Sequence, residues 1–417
     1  MGNKVKVVLM AGGQGKRIAS LFGNIPKPLV PICDKPVLER EINCLKKQGF
    51  VDFIITLSYL SEMIIDYFGD GSKFGVHIQY YVEKKPLGTA GALFKIKHLL
   101  SDTFLLLNSD SIFDVDFNRF INYHHQKGGL VTIFTHPNSH PYDSGIIVTD
   151  SNGMVKEWFT KESKKPKWYK NRVNAGLHII EKRLLDQKAP PLPIDLDRHL
   201  LLPLVNEKEV FAYDSTEYVK DMGTPDRYFD VCNDYLSGLV EQRNLLHKQK
   251  AIFIDRDGTI NEYVGFLTNI DDFKLIEGVE EAIRKINASG YLAIVVTNQP
   301  VIARGDISID NLIEIHNKME TLLGMKGAFL DAIFYCPHHP HSGYEGEVKE
   351  LKIDCDCRKP KPGMLLKAAR EYNIDLSKSW MIGDGESDIK AGKAAGCRTA
   401  RIKDGKSLLM VIDEILC

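Results

Sequence analysis

The segment AIFIDRDGTIN, residues 251–261, constrains the fold of this chain more than any other stretch. Its apolar start predicts a buried strand of a parallel sheet, because both faces of such a strand are covered. Asp255 and Asp257 follow at the carboxyl end of that strand, which is where open α/β sheets bind ligands. An aspartate placed there can attack phosphorus, a second can carry the leaving-group proton, and a divalent cation can screen the charges. A strand that ends in a plain acidic turn is the alternative interpretation.

Two further strand ends in the second half carry side chains suited to the same chemistry. The run YLAIVVTNQ predicts a strand that ends at Thr297 and Asn298, and a hydroxyl there can donate to a phosphoryl oxygen. The run SWMIGDGESDI predicts a strand followed by Asp384, which we expect to be the second carboxylate on Mg²⁺. Asp388 either orients the ligands of that ion or starts the following helix.

Basic side chains follow on two loops of the same half. The stretch CRKPKPG places Arg358 and Lys359 on a loop that prolines stiffen. We expect Lys359 to offset charge between the nucleophile and the transferred phosphoryl group, and Lys361 competes for that role from two residues further on. Arg304 is expected to bind a distal phosphate or hydroxyl of the substrate.

Cysteines and histidines form a separate cluster between these motifs. Cys336 and His338 stand in one C-x-H pair, and Cys355 and Cys357 in one C-x-C pair. Three thiolates and an imidazole predict a tetrahedral Zn²⁺ site, and four protein ligands leave no position for water, so the site is expected to be structural. Free buried thiols are the alternative, and His339 is a second candidate for the imidazole.

The motifs DRDGTIN, VVTNQ, IARG, YCPHHP, CDCRKPKPGM and IGD resemble, in this order, the D,D-heptose 1,7-bisphosphate phosphatases of the haloacid dehalogenase superfamily. The resemblance spans essentially the whole second domain. It implies that Asp255 is the nucleophile and Asp257 the general acid and base. We expect Asp255, Asp257 and Asp384 to hold Mg²⁺ together with water and a backbone carbonyl. Arg304 and Arg358 would hold the substrate, and histidinol phosphatases, which share parts of the pattern, are an alternative.

The first half also opens on a strand followed by a polar loop. The run VKVVLM predicts a buried strand, and in the AGGQGKR stretch that follows, Gly12, Gly13 and Gly15 let backbone N–H groups approach a triphosphate. Arg17 adds positive charge to this loop. Lys27 lies between two prolines in IPKPLVPI, a stiff segment suited to fixing a cation against phosphate, although a solvated turn lysine is the alternative.

Two carboxylates of the first half lie on separate loops. Asp110 ends the apolar run FLLLNSD, and Asp221 precedes a glycine turn in VKDMGTPDRY. They are expected to share one Mg²⁺ that bridges the phosphates of a nucleotide and an incoming phosphate. Either could instead cap a helix or a turn.

The segments AGGQGKR, PKP, EKKPLGTAGAL, LNSD, VNAGLH and DMGTPDRY are similar, as an ordered set, to the sugar-1-phosphate nucleotidyltransferase family. The resemblance implies that the glycine loop with Arg17 holds the nucleotide phosphates and that Lys27 lies beside the reacting phosphoryl group. Glu83, Gly88 and Thr89 would contact the base. Asn174 and Gly176 would contact the sugar, and Asp110 and Asp221 would bind Mg²⁺. Lys161 is expected on the sugar side, although its order with Glu162 is the reverse of the family pattern.

These patterns predict an α/β chain of two domains joined by a short linker. Residues 1–238 are expected to form a Rossmann-like nucleotidyltransferase domain with a GT-A-like mixed sheet, residues 239–249 the linker, and residues 250–417 a haloacid dehalogenase-type Rossmannoid fold with a zinc loop. The formal net charge of −1 gives no reason to expect nucleic acid as a partner, and the sequence has no apolar run long enough for a bilayer. The cysteines of this chain do not have the spacing of a disulfide framework, so the sequence predicts a location in the reducing cytoplasm. A homo-oligomer is compatible with the sequence.

The two resemblances together predict a bifunctional enzyme of nucleotide-activated heptose synthesis. The second domain would remove the 7-phosphate of D-glycero-α-D-manno-heptose 1,7-bisphosphate, and the first would transfer GMP from GTP to the heptose 1-phosphate. GTP is expected because heptose 1-phosphate guanylyltransferases belong to this nucleotidyltransferase family. The alternatives are a mannose- or glucose-type nucleotidyltransferase fused to a phosphatase of another small ester such as histidinol phosphate, a catalytically inactive sensing or scaffolding half, and a zinc-binding interaction protein.

Overall fold

The computed structural model describes residues 5–13, 19–343, 345–403 and 405–417. The chain divides into two compact units. Unit 1 comprises Met1–His136, Ile147–Trp158 and Asn174–Asn244, and unit 2 comprises Pro137–Ile146, Phe159–Val173 and Leu245–Cys417. The division at Asn244 falls inside the expected linker, while two segments of the first half, Pro137–Ile146 and Phe159–Val173, group with unit 2.

The first half of the chain alternates strands and helices. Its strands are β1 (Lys6–Met10), β2 (Pro31–Ile32), β3 (Lys35–Pro36), β4 (Asp52–Leu57), β5 (His77–Val82), β6 (Thr103–Asn108), β7 (Ser111–Asp114), β8 (Val131–His136), β9 (Ile146–Thr149), β10 (Val155–Phe159), β11 (Val173–Glu181), β12 (Val210–Asp214) and β13 (Tyr218–Asp221). Its α-helices are α1 (Ala19–Phe22), α2 (Val37–Lys47), α3 (Ser61–Phe68), α4 (Gly91–Ile96), α5 (Phe117–Lys127), α6 (Leu202–Asn206), α7 (Pro225–Leu236) and α8 (Leu239–Gln242).

A mixed sheet forms the centre of this half. Among the described residues it has nine strands, in the order β10-β9-β11-β6-β1-β4-β5, with β8 paired to β11 and β12 to β8. The central strand β1 runs parallel to β4 and β6, whereas β11 runs antiparallel to β6. Val7 and Leu9 of β1 pack into the core on one face and Val8 into the core on the other, which is why its sequence is apolar without alternation.

The second half carries a parallel sheet. Its strands are β14 (Lys250–Ile254), β15 (Tyr291–Asn298), β16 (Ala332–Cys336), β17 (Trp380–Gly383) and β18 (Arg398–Arg401), and its α-helices are α9 (Val279–Ala288), α10 (Ile309–Gly324), α11 (Gly363–Glu371), α12 (Glu386–Ala395) and α13 (Leu408–Leu416). The strand order is β16-β15-β14-β17-β18, with every pairing parallel. Ile252 and Ile254 of β14 pack into one core, and Ala251 and Phe253 into the core on the opposite face.

Parallel pairing brings the carboxyl ends of β14, β15 and β17 to one edge of the sheet. The polar residues that the sequence places after these strands therefore meet at that edge.

The prediction of a two-domain α/β chain is confirmed. No helix in the described ranges is both long enough and apolar enough to span a membrane.

Candidate active sites

The carboxyl end of β14 positions the predicted nucleophile. The N–H of Asp255 donates to the carbonyl of Ile382 in β17 at 2.9 Å, which fixes the backbone at this point. Its carboxylate lies 2.7 Å from the ammonium of Lys359, which lies 2.6 Å from Asp388 and donates to the Val296 carbonyl at 2.8 Å. Burial lowers the pKa of Lys359, but the two carboxylates raise it by more, so the buried lysine is held in its charged form.

The structure separates the two candidate lysines. Lys361 pairs with Asp354 at the surface, 2.7 Å apart, and does not reach the nucleophile. Asn298 accounts for the position of Lys359, because its side-chain amide donates to the Lys359 carbonyl and its oxygen accepts from the Lys359 N–H, each at 3.0 Å. The Asn298 side chain, predicted to bind substrate, thus orients the backbone of the lysine.

Two further carboxylates converge on that of the nucleophile. One oxygen from each of Asp255, Asp384 and Asp388 lies within 4.8 Å of the others. Gly258 allows this approach, since its φ is +78° and a Cβ there would overlap the Asp384 carboxylate. Burial, followed by the charge of Asp388, raises the pKa of Asp384. A group of hard carboxylate oxygens fits Mg²⁺, and Asp388 belongs to this group. One Asp388 oxygen also accepts from the Gly385 N–H at 3.0 Å at the start of α12, which is the helix-starting role that the sequence predicts.

The carboxylate of Asp257 is hydrogen-bonded to side chains outside the group formed by Asp255, Asp384 and Asp388. Arg256 donates to both of its oxygens at 2.9 Å, Gln299 donates to one at 2.9 Å, and Asn261 to the other at 3.1 Å. That Asp257 also binds Mg²⁺ stays a prediction. Sequence reasoning missed Arg256 and Gln299, although both stand inside the quoted motifs DRDGTIN and VVTNQ.

A cavity of about 370 Å³ opens over these groups. The predicted residues that line it include Asp255, Asp257, Thr297, Asn298, Arg358, Lys359 and Asp384. The hydroxyl of Thr297 accepts from the Gln299 side chain at 2.8 Å. Arg304 lies further out, where it pairs with Asp306 at 2.8 Å and stacks 4.3 Å above the ring of Phe266, a lining residue of the cavity.

The predicted zinc ligands come together. Cys336 is the last residue of β16, and its sulfur lies 3.5 Å from that of Cys355 and 3.2 Å from that of Cys357. The Nδ1 atom of His338 lies 3.3 Å from the Cys357 sulfur. The three thiols are free, and this compact set of sulfur and nitrogen donors fits a tetrahedral Zn²⁺ ion. His339 instead contacts the His341 carbonyl.

The cysteine and histidine cluster adjoins the cavity. Arg358 immediately follows Cys357, and its guanidinium donates to the carbonyl of His338 at 3.2 Å. Because Arg358 lines the cavity, the cluster fixes the orientation of a side chain that the sequence predicts to bind substrate.

In unit 1, Lys27 and Asp110 form an ion pair after the end of β6. Lys27 begins a short 3₁₀ helix, is 8% exposed, and places its ammonium 3.0 Å from the Asp110 carboxylate. Glu41 of α2, which sequence reasoning missed, is buried close to them. Burial, followed by the negative charge of Asp110, raises the pKa of Glu41 well above its ordinary value.

Strand register brings the second predicted Mg²⁺ ligand to the same place. β13 runs antiparallel to β7 with Asp221 opposite Ser111, the residue after Asp110. The Asp221 carboxylate accepts from the Gly223 N–H at 2.9 Å and pairs with Arg227 at 3.0 Å. Two carboxylates at neighbouring positions supply hard oxygen ligands of the kind that Mg²⁺ prefers.

The glycine loop lies at the carboxyl end of β1. The N–H of Ala11 donates to the Thr56 carbonyl at 2.9 Å, and the Ser58 hydroxyl donates to the Gly12 carbonyl at 3.0 Å. Gly12 and Gly13 therefore leave the sheet at the edge where Asp110 also lies. The predicted phosphate contacts Gly15 and Arg17 fall outside the described residues.

The predicted base contacts shape one loop. The Glu83 carboxylate accepts from the Leu87 N–H at 3.1 Å. Gly88 has a φ of +83°, and a Cβ there would overlap the backbone of Ile194. The hydroxyl of Thr89 accepts from the Leu196 N–H at 2.7 Å, so the loop is held against the segment before α6.

The predicted sugar contacts lie on β11 and before it. The Asn174 oxygen accepts from the Gly176 N–H at 3.0 Å. Gly176 has a φ of +75°, and a Cβ there would overlap the side chain of Asn108 at the end of β6. Lys161 is exposed and belongs to the segment Phe159–Val173 of unit 2.

Known families match both halves. Residues 6–238 match the model of the nucleotidyl transferase family, and residues 203–396 match that of the haloacid dehalogenase-like hydrolases. The chain belongs to the nucleotidyl transferase family through its first half and to the haloacid dehalogenase-like hydrolases through its second.

Individual relatives resemble one half each. The D-glycero-beta-D-manno-heptose-1,7-bisphosphate 7-phosphatase of Pasteurella multocida is 47% identical over 161 residues, which is 38% of this chain and 85% of the relative. The enzyme of the same name from Escherichia coli K12 is 43% identical over 159 residues, 38% of this chain and 81% of the relative. The crystal structure of HddC from Yersinia pseudotuberculosis is 26% identical and covers 55% of this chain and 99% of its own, with a TM-score of 0.48.

Proposed function

We propose that this chain performs two successive steps of nucleotide-activated heptose synthesis. Unit 2 would hydrolyse the 7-phosphate of a D-glycero-D-manno-heptose 1,7-bisphosphate. Unit 1 would then transfer a nucleoside monophosphate from a triphosphate to the heptose 1-phosphate and release pyrophosphate. The observation that carries the first step is the position of Asp255, which ends β14 at 2.7 Å from Lys359 and within 4.8 Å of the carboxylates of Asp384 and Asp388. The names of the relatives that match unit 2 support the substrate.

In the proposed hydrolysis, an Asp255 oxygen attacks phosphorus and the bond to the sugar O7 breaks. Asp257 donates a proton to the departing alkoxide and then accepts one from the water that cleaves the aspartyl phosphate. Lys359 and Thr297 face the phosphoryl oxygens, whose charge increases in the transition state. Mg²⁺, when bound by the Asp255 and Asp384 carboxylates, supplies charge neutralisation.

In the proposed transfer, a heptose 1-phosphate oxygen attacks the α-phosphorus of the nucleotide and the bond to pyrophosphate breaks. The residues contribute orientation and charge neutralisation rather than a covalent intermediate. Lys27 offers its ammonium beside Asp110, and Asp110 and Asp221 would hold Mg²⁺. The glycine loop and Arg17 would bind the phosphates.

We further propose GTP as the nucleotide and the α anomer as the sugar, because heptose 1-phosphate guanylyltransferases belong to this nucleotidyltransferase family and the second half is expected to supply a heptose 1-phosphate. The phosphatase relatives carry the β anomer in their names, so the β anomer is the second candidate. Zn²⁺ at Cys336, His338, Cys355 and Cys357 is proposed as structural. Three free thiols at that site suit a reducing cytoplasm, which is the proposed location.

The test combines substrates and variants. The purified chain is incubated with the α or the β 1,7-bisphosphate and each nucleoside triphosphate in turn, and phosphate, pyrophosphate and nucleotide sugar are measured. We expect GDP-heptose from the α anomer. Formation of another nucleotide sugar would overturn the assignment of the base, and turnover of the β anomer alone would overturn the assignment of the anomer.

Two variants separate the reactions on the same chain. Asp255→Asn removes the nucleophile, so phosphate release is expected to stop while pyrophosphate release from added heptose 1-phosphate continues. Asp110→Asn is expected to do the reverse. If each variant left both reactions intact, these residues would not be the catalytic groups.

A further inference from the structure

A fully buried arginine lies beneath the proposed general acid of unit 2. Arg256 is 0% exposed, although charged side chains are almost never fully buried unless they are paired. Its Nη2 atom lies 2.9 Å from both oxygens of Asp257, and its Nε atom donates to one of them at 3.2 Å. The same Nη2 atom donates to the side-chain oxygen of Gln299 at 3.1 Å.

The remaining nitrogen of the guanidinium meets a histidine from another element. Nη1 of Arg256 lies 3.2 Å from Nε2 of His316 on α10. A guanidinium only donates, so Nε2 must accept, which places the proton of a neutral imidazole on Nδ1. Burial and the neighbouring Arg256 charge lower the pKa of His316 well below its ordinary value, in agreement with a neutral ring.

Gln299 closes the network from a second side. It accepts from Arg256 and donates both to Asp257 at 2.9 Å and to the Thr297 hydroxyl at 2.8 Å. Gln299 lines the cavity, but its side-chain amide is occupied by Arg256, Asp257 and Thr297. His316 is 6% exposed and is not among the residues that line the cavity. Both act on the reaction through the side chains they hold.

We propose that His316 and Gln299 are positioning residues of the phosphatase, which fix Arg256 and through it the carboxyl of Asp257 under the leaving-group oxygen. This inference rests on the proposed role of Asp257 as general acid. A structural role of His316 alone would affect every substrate equally. A role in placing the acid would affect a substrate in proportion to its need for a proton on the leaving group.

The test compares two esters. Heptose 1,7-bisphosphate leaves a basic alkoxide that requires protonation, whereas p-nitrophenyl phosphate leaves a stabilised phenolate that does not. His316→Leu is expected to lower kcat/KM on the bisphosphate about 10- to 100-fold and to change kcat/KM on the aryl ester less than about 3-fold. The ratio kcat/KM reports the steps up to departure of the leaving group, before the hydrolysis of the aspartyl phosphate in which Asp257 serves both esters as the base. His316→Gln keeps an acceptor for Arg256 and should recover most of the loss. Gln299→Met should also lower activity on the bisphosphate more than on the aryl ester. It provides a second test of the proposal if His316→Leu does not fold.

Asp257→Asn separates failure of the inference from failure of the proposed function. If Asp257→Asn lowers kcat/KM for both esters alike, Asp257 is not the general acid and the premise fails. If the effect of Asp257→Asn on kcat/KM is selective for the bisphosphate but the His316 and Gln299 variants lower kcat/KM for both esters equally, or for neither, the positioning role is wrong while the proposed function stands. Pyrophosphate release by unit 1 provides the activity to which each preparation is normalised.

Discussion

At the scale of single residues, Lys359 and Lys361 form a natural matched pair. Lys359→Met removes the one ammonium that lies between Asp255 and Asp388, so the nucleophile faces a second carboxylate and an incoming phosphate without that charge. We expect kcat for phosphate release to fall by about 10²- to 10³-fold, the usual effect of removing a single group that stabilises transition-state charge. Lys361→Met removes only a surface contact to Asp354 and should remain within about 2-fold of the original rate. A larger loss in the second variant would reverse the assignment.

His178 of β11 makes the stability of unit 1 depend on pH. Burial lowers the pKa of His178 to about 4, from an ordinary value of 6.5. The unfolded chain therefore binds a proton between these values that the folded chain does not, so the stabilisation is complete above pH 6.5 and is lost as the pH falls towards 4. The difference is worth about 3 kcal/mol.

The measurement for His178 is urea unfolding at several pH values from 7 to 4. The free energy of unfolding of the original chain should fall by about 3 kcal/mol more over this range than that of His178→Leu. His125 is exposed, and His125→Leu should leave the pH dependence unchanged. Equal pH dependence in the His178→Leu variant would contradict the assignment to this residue.

Sequence reasoning found two kinds of site residue. Some lie close in space to residues that are also close in sequence, and others directly follow a predicted strand. Asp255 and Asp384 each follow a buried strand, and the order of motifs was enough to predict that they meet. The contact of Arg256 with His316 spans 60 residues between a loop and a helix. No local pattern distinguishes His316 from any other buried histidine, so its role required the tertiary structure.

At the scale of elements, the loop between β16 and α11 depends on its cysteine and histidine cluster. Cys355→Ser removes one of the four donors, and zinc sites of this kind contribute directly to folding free energy. We expect elemental analysis to give one zinc per original chain and less in the variant. The KM for the bisphosphate should rise, because Arg358 is held by the His338 carbonyl within this loop.

The control for Cys355→Ser is Cys417→Ser, since Cys417 is exposed and lies away from the cysteine and histidine cluster in sequence. It should keep both the zinc and the phosphatase activity. Pyrophosphate release should be unchanged in both variants. Full zinc content after Cys355→Ser would show that this thiol is not a ligand.

The few strands that the sequence predicts are observed within a residue or two of their expected bounds, because buried parallel strands read as continuous apolar runs. The predicted strand at 251–254 is observed as Lys250–Ile254, and the one at 291–299 as Tyr291–Asn298. The register between β7 and β13 was not predictable. It pairs Ser111 with Asp221 across more than a hundred residues, and it alone brings the two predicted Mg²⁺ ligands of unit 1 to neighbouring positions.

At the scale of the whole molecule, the division of the chain is not a single cut. The segment Phe159–Val173 belongs to unit 2, where the N–H of Asn171 donates to Glu320 of α10 at 3.0 Å and that of Tyr169 donates to Thr321 at 2.9 Å. Arg172 donates to the Asp331 carbonyl at 2.8 Å. The order of motifs predicts a linker at residues 239–249. It does not predict that Phe159–Val173, which comes from the first half of the chain, groups with unit 2, because the composition of this segment does not distinguish it.

The ion pair of this segment gives the last prediction. Arg172 and Glu320 lie 3.4 Å apart with side chains 5% and 2% exposed. Glu320→Ala leaves the buried guanidinium of Arg172 without that carboxylate, and breaking a buried pair from one side costs about 3–5 kcal/mol. The double variant Arg172→Met and Glu320→Met should recover most of this loss, since apolar replacement of both partners is often neutral. Urea unfolding followed through phosphatase activity measures both, and Glu314→Ala, an exposed position on the same helix, should change the free energy of unfolding by less than about 0.5 kcal/mol. If the double variant were less stable than Glu320→Ala, the segment would be held by its backbone hydrogen bonds and packing, and the ion pair would add nothing.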